Sequence, residues 1–217
     1  MVLALLASIA GCAGCSDVVQ ERTQVQLAGQ PPTVELACER TALRSEERLP
    51  GEWESAGPIA VEADPDPDIV PVGWLNAPMQ DVPILISGPR PNTVLSRDVE
   101  TELRRRGFPV TSEAPTANLT LHVGVTMLGT EWLPGHWYDF TRTLRGHAVV
   151  RMALRHGTDV LWSKVFEAHD EARYAYDRSS NHAKLLGEAY CRCLEQFDRA
   201  LDDPEFETAV RRAEAGT

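Results

Sequence analysis

Three alternating segments in the middle of the chain constrain its fold more than any other feature. Leu119, Leu121, Val123, Val125 and Met127 put an apolar side chain at every second position. Ala148, Val150, Met152 and Leu154, led in by Leu144, repeat the pattern. Val160, Trp162, Lys164 and Phe166 form a third run, with Leu161 and Val165 on its other side. A period of two marks a strand with one face in the core and one in water. His156-Gly157-Thr158-Asp159 lies between the second and third runs and has the composition of a hairpin turn. The three runs therefore predict an antiparallel meander with one apolar face, and that face needs a second layer to cover it.

Helical patterns supply the cover. Leu95, Val99 and Leu103 share one helix face, with Asn92 or Thr93 as the expected cap and Asp98 and Glu100 in the N-terminal half. Arg104, Arg105 and Arg106 suit its C-terminal end, and Gly107 stops it. The arginine triplet is a candidate for phosphate or lipid headgroups. The expected reading is plainer: charges on a solvated face that complement the helix dipole. A long helix near the C-terminus carries Leu186, Ala189, Tyr190, Cys193, Phe197 and Leu201 as one stripe, with Ser180 or Asn181 as its cap. Asp202-Asp203-Pro204 breaks it, and residues 205–213 make a short closing helix. Shorter strands are expected over residues 33–38, 59–63, 82–87 and 108–112. Asp64-Pro65-Asp66-Pro67-Asp68 must be loop, because neither proline can continue a ladder. The expected architecture is α+β: a two-layer sandwich in the order β-α-β-meander-α, with a mainly antiparallel sheet and two main helices on one face.

The charge is unevenly spread. The chain carries a net −11. Residues 13–80 hold 12 Asp and Glu against 4 Lys and Arg, whereas residues 81–217 hold 20 against 17. An acidic chain lacks the basic footprint that phosphates require, which argues against a nucleic-acid partner. The acidic stretch fits either a solvated tether or a docking strip for a basic partner.

The first residues look like an address. Residues 2–10 read V-L-A-L-L-A-S-I-A, too short to span a bilayer but the length of a signal-peptide apolar region. They run into Ile9-Ala10-Gly11-Cys12, which resembles the lipobox of bacterial lipoproteins. That resemblance implies cleavage before Cys12 and lipidation of its thiol. Each buried methylene of such a chain contributes about 0.8 kcal/mol, so several chains anchor stably. No Lys or Arg precedes the apolar run, so the natural start is expected upstream of Met1. Cys15 is a poorer anchor, because Cys12 stands where an aliphatic residue belongs. Ala13 rather than Asp follows the anchor, which by the same resemblance implies the periplasmic face of the outer membrane. The expected organisation is a signal peptide over 1–11, a lipidated acidic tether over 12–57 and an α+β domain over 58–217.

An oxidising periplasm permits disulfides. Cys191 and Cys193 are two apart on a helix and project in different directions, so they should not bond each other. A bridge from Cys38 to either one would tie the N-terminal arm to the long helix. The alternative is that one of the pair is simply a small buried apolar residue. A C-x-C on a helix lacks the usual zinc-ligand spacing.

Reactive constellations are scarce. The sequence has no G-x-S-x-G elbow, H-E-x-x-H, Walker loop or G-x-G-x-x-G. His122 and His147 are expected on one polar sheet face, not as metal ligands. His169 and Asp170 are adjacent on a strand and point oppositely. No catalytic residue, metal or cofactor is expected. The candidate interaction loop holds Trp132, Trp137 and Tyr138, since amphipathic aromatics anchor interfaces and membrane–water boundaries. These rings could instead fold back over the open end of the sheet.

The order of these pieces is familiar. A strand with an acidic Asp64-Pro65-Asp66 loop is followed by a helix ending in Arg105-Arg106-Gly107-Phe108. Then come the run A-N-L-T-L-H-V-G-V, the pair around G-T-D-V-L-W-S-K-V-F and a C-terminal helix. This resembles the YajG-like family of small outer-membrane lipoproteins over residues 58–210. The family's acidic motif commonly continues into an arginine that is missing here. The resemblance implies a non-catalytic, lipid-anchored accessory protein of the cell envelope, with the membrane and an envelope protein as partners. A second expectation is a lipid- or lipopolysaccharide-handling auxiliary subunit of an envelope transport system, marked by an apolar groove between helix and sheet. A third, a hydrolase with an unrecognised site, would need converging titratable groups in a cleft.

Overall fold

The computed structural model describes residues 31–38, 53, 57–66, 71–75, 81–112, 117–135 and 140–215. The chain is α+β, built from eight strands and three helices among those residues. They run β1 (Thr33–Glu35), β2 (Ile59–Ala63), β3 (Gly73–Leu75), β4 (Val82–Ser87), α1 (Pro91–Arg105), β5 (Val110–Thr111), β6 (Leu119–Trp132), β7 (Arg142–His156), β8 (Asp159–Tyr174), α2 (Ser179–Ala200) and α3 (Pro204–Ala215).

A five-stranded sheet, ordered β5-β2-β6-β7-β8, carries the predicted meander. β6, β7 and β8 pair antiparallel, while β2 lies parallel to both β5 and β6. The alternation did not reveal that parallel junction, because β2 has only five residues. A second sheet, ordered β1-β4-β3, shares no ladder with the first, and β3 was not expected at all. Folded structure thus begins upstream of residue 58: Val34, Leu36 and Cys38 are buried in the core.

The buried face of the large sheet is the one the period announced. Leu119, Leu121, Val123, Val150, Met152 and Leu154 are all but inaccessible. The helices cover them with Val99, Leu103, Leu186, Ala189, Tyr190 and Phe197. Trp162 and Phe206 meet edge to face at 5.1 Å, and Phe166 and Phe197 at 6.1 Å, geometry that adds to the burial of each ring. α2 crosses β7 so closely at Gly146 that any Cβ there would collide with the backbone of Leu185. Among the described residues, no helix is long and apolar enough to cross a membrane.

Neither expected helix cap is used. α1 begins at Pro91, where the fixed φ of proline suits the first turn, and Arg90 flanks it without a side-chain bond. Asn92 is buried and spends its side chain elsewhere. Its Nδ2 donates to the carbonyls of Asp64 and Pro65, and its Oδ1 accepts from the Val125 amide at 2.7 Å. The Asn92 backbone amide is met by the Asp66 carboxylate at 2.9 Å. The acidic loop therefore caps α1 from a distance. β6 shifts register between Val125 and Met127, beside the amide that Asn92 takes. α2 likewise begins at Ser179 after Arg178, with no side-chain cap bond. Asn181 instead donates to the Tyr176 carbonyl.

Candidate functional site

The predicted aromatic loop is only partly where it was expected. Trp132 is the last residue of β6 rather than a loop residue. Its ring meets the edge of His182 at 6.2 Å, and the Arg142 guanidinium lies 5.2 Å from its centroid. Its indole Nε1 is buried without a hydrogen-bond partner. Trp132 is thus folded back against the domain, the alternative reading for these rings. Trp137 and Tyr138 lie outside the described residues, as do Cys12 and Cys15. Phe140, on the far side of that loop, is 96% exposed.

Behind Trp132, a hydroxyl, an imidazole and a carboxylate meet in the order of catalytic machinery. Thr130 Oγ1 lies 2.6 Å from His182 Nδ1, and His182 Nε2 lies 2.9 Å from Asp177 Oδ1. Sequence reasoning missed it. Thr130 and His182 are 52 residues apart, and nothing local to either announces the other. The surroundings show what it does. The Thr130 hydroxyl donates to the Val72 carbonyl at 2.9 Å, and the Thr130 amide donates to the same oxygen at 2.6 Å. A side chain at position 73 would strike Thr130 Oγ1 and His182, so Gly73 is required for the close approach. His182 is 1% exposed. The hydroxyl is already committed to the Val72 carbonyl and lies against Gly73 and His182. The group is a three-way joint between β3, β6 and the start of α2.

The arginine triplet is divided. Arg104 faces solvent and pairs with Glu100 one turn back. Arg105 and Arg106 turn inward, which corrects the solvated-face expectation for two of the three. Arg105 bonds Glu102 and meets Asp198 at 2.7 Å; Arg106 meets Asp198 at 2.6 Å and Asp202 at 2.9 Å. Burial pushes the Glu102 carboxyl above its usual range, and neighbouring Asp198 adds to that push. Burial also acts to raise Asp198, but the Glu102 hydrogen bond and the two guanidinium groups outweigh it and hold Asp198 low. With both guanidinium groups engaged this way, Arg105 and Arg106 are not available to bind a headgroup. Nearby, burial raises Asp98, partly offset by the Tyr190 hydroxyl that donates to it at 2.9 Å.

The outer face of the large sheet is polar. His147 bonds Glu167 at 3.0 Å, Arg145 pairs with Glu171, and Arg151 reaches Asp64 at 3.2 Å. His122 lies 3.6 Å from Glu62. His169 stands opposite His147, while Asp170 pairs with Arg192 of α2. Among the described residues, no three His, Cys, Asp or Glu side chains are grouped to hold a metal ion.

Cys38 is bridged to Cys191 across 153 residues. Among the described cysteines Cys193 is the free one, a buried thiol pushed up to about 12 by burial. A thiol held so far above neutrality is an inert packing group.

No family model and no curated protein matches the sequence. The fold is similar to that of a Xanthomonas campestris protein of the DUF330 family. The TM-score is 0.54 at 10% identity, covering 85% of this chain and 99% of that one. A minor lipoprotein from Acinetobacter baumannii is also similar, with a TM-score of 0.41 at 10% identity, over 67% of this chain and 92% of that one. The shared α+β fold is therefore established, while the YajG-like resemblance rests on the order of residues and elements alone.

Proposed function

We propose that the chain is a lipid-anchored accessory protein of the bacterial envelope that acts by binding rather than catalysis. One observation carries most of the reading: the Cys38–Cys191 bridge. Disulfides persist in oxidising compartments, and the lipobox-like run at Cys12 addresses the chain to such a compartment and supplies the anchor. The fold shared with the DUF330 protein is compatible with this role. The side of the membrane follows from Ala13: without Asp after the anchor, the mature protein faces the periplasm from the outer membrane. A binding role is favoured because the Thr130 hydroxyl is spent on the Val72 carbonyl, so that Thr130, His182 and Asp177 serve to join β3, β6 and the start of α2. An envelope protein is the partner class, reached through the polar sheet face or the loop beyond β6.

The test is the intact mass and fractionation of the full chain made in its own host. Loss of residues 1–11 with added acyl mass, in the membrane fraction, is expected. An unmodified soluble product would overturn both anchor and location.

A further inference from the structure

The small sheet has an outer face that the core does not use. Burial alternates along its two edge strands: Gly73 and Leu75 point in while Trp74 points out, and Val34 points in between Thr33 and Glu35. The register sets Trp74 opposite Pro83 and Leu85 opposite Thr33. Trp74, Pro83 and Leu85 thus share one apolar strip, and Trp74 is 51% exposed. An indole that is half apolar body and half polar tip is the side chain best suited to a membrane–water boundary.

We propose that this strip rests on the surface of the membrane that holds the anchor, with Trp74 at headgroup depth. The inference rests on the lipoprotein reading. What favours lipid is where the chain enters the domain. Only twenty residues lie between Cys12 and Thr33, and Thr33 opens β1, an edge of this same sheet. Even fully extended, such a segment spans at most roughly 70 Å. Tethering makes contact with the membrane intramolecular, so a strip too small to bind vesicles from solution is engaged by effective concentration. Glu35 and Asp81 are exposed on and beside the strip. Their negative charge makes the contact weaker on anionic lipid.

The experiment uses the full chain from its host, its acylation verified by mass. It is reconstituted into phosphatidylcholine vesicles with or without brominated acyl chains. Tryptophan emission is compared between wild type and W74F, with a thermal melt to show that the exposed substitution leaves the fold intact. The expected result is stronger bromine quenching in wild type than in W74F, reduced when phosphatidylglycerol replaces part of the phosphatidylcholine. Equal quenching of the two acylated proteins would overturn the proposal and leave the anchor standing. Trp74 emission that follows protein concentration instead of lipid bromination would assign the strip to a second copy and also overturn it. Absence of acyl mass would remove the anchor itself, a separate failure read before any vesicle is made.

Discussion

The two ends of α2 are both fastened by polar groups, in different ways. At the start, His182 is held between Asp177 and Thr130, one hydrogen bond at each ring nitrogen. At the end, Asp198 and Asp202 face Arg105 and Arg106, with Glu102 beside them. The first joint depends on geometry and matches each polar atom with a neighbour. The second depends on charge, spreads it over five groups and needs the sum to balance. One end should therefore respond to shape changes, the other to pH and charge.

The largest effect separates the ends by removing the staple between them. The Cys38→Ser variant should lose about 4–5 kcal/mol, since the bridge closes a loop of about 150 residues. Urea melts with and without reductant measure this. Hydrogen exchange should show β1 and β4 losing protection first, with the Asp198 end of α2 retaining it.

Next comes the charged end. Asp198→Ala leaves two buried guanidinium groups short of their carboxylate and should cost about 3–5 kcal/mol. Glu102→Gln should cost less than Asp198→Ala in parallel melts at neutral pH, because burial already pushes Glu102 toward its neutral form. An equal loss in both would mean that the charges do not act as one balanced set.

The pH profile sharpens the contrast. Asp198 is held low, so its contribution is present above the ordinary aspartate value and lost as pH falls through its lower folded value. Asp98 and Glu102 are raised, so their contribution has the opposite sign. It is full below their ordinary values and lost as pH rises through the folded ones. Asp98→Asn should therefore compare more favourably with wild type at about pH 7 than at about pH 4. Chemical denaturation across that range would detect the crossover, and parallel profiles would contradict it.

The geometric end should give smaller losses. His182→Ala is expected to cost about 1–3 kcal/mol, because it strands buried partners. Arg145→Ala, on the open sheet face, should change stability by less than about 1 kcal/mol in the same melts.

Much of the fold was legible because its signals are local. β6, β7 and β8 showed themselves through every second residue, α2 through its stripe, and the end of α1 through Gly107. β3 was not legible: three residues, Gly-Trp-Leu, carry no period. Asn92 misled for a different reason. Its position before an apolar run suits a cap, yet its side chain is drawn to the loop at Asp64 and the amide of Val125. Trp132 looked like a contact residue because its exposure depends on His182 and Arg142, one of them fifty residues away.

The sequence by itself determined which faces are apolar and how the meander pairs. Those follow from side-chain direction and hydrophobic period, which are properties of short windows. Only the tertiary structure chose Cys191 over Cys193, turned Arg105 and Arg106 inward while leaving Arg104 in water, and assembled Thr130, His182 and Asp177. Each of these depends on which distant group arrives at a buried position and satisfies it. The cost of an unmatched polar atom there is set by the packing around it and not by the residues beside it in the chain.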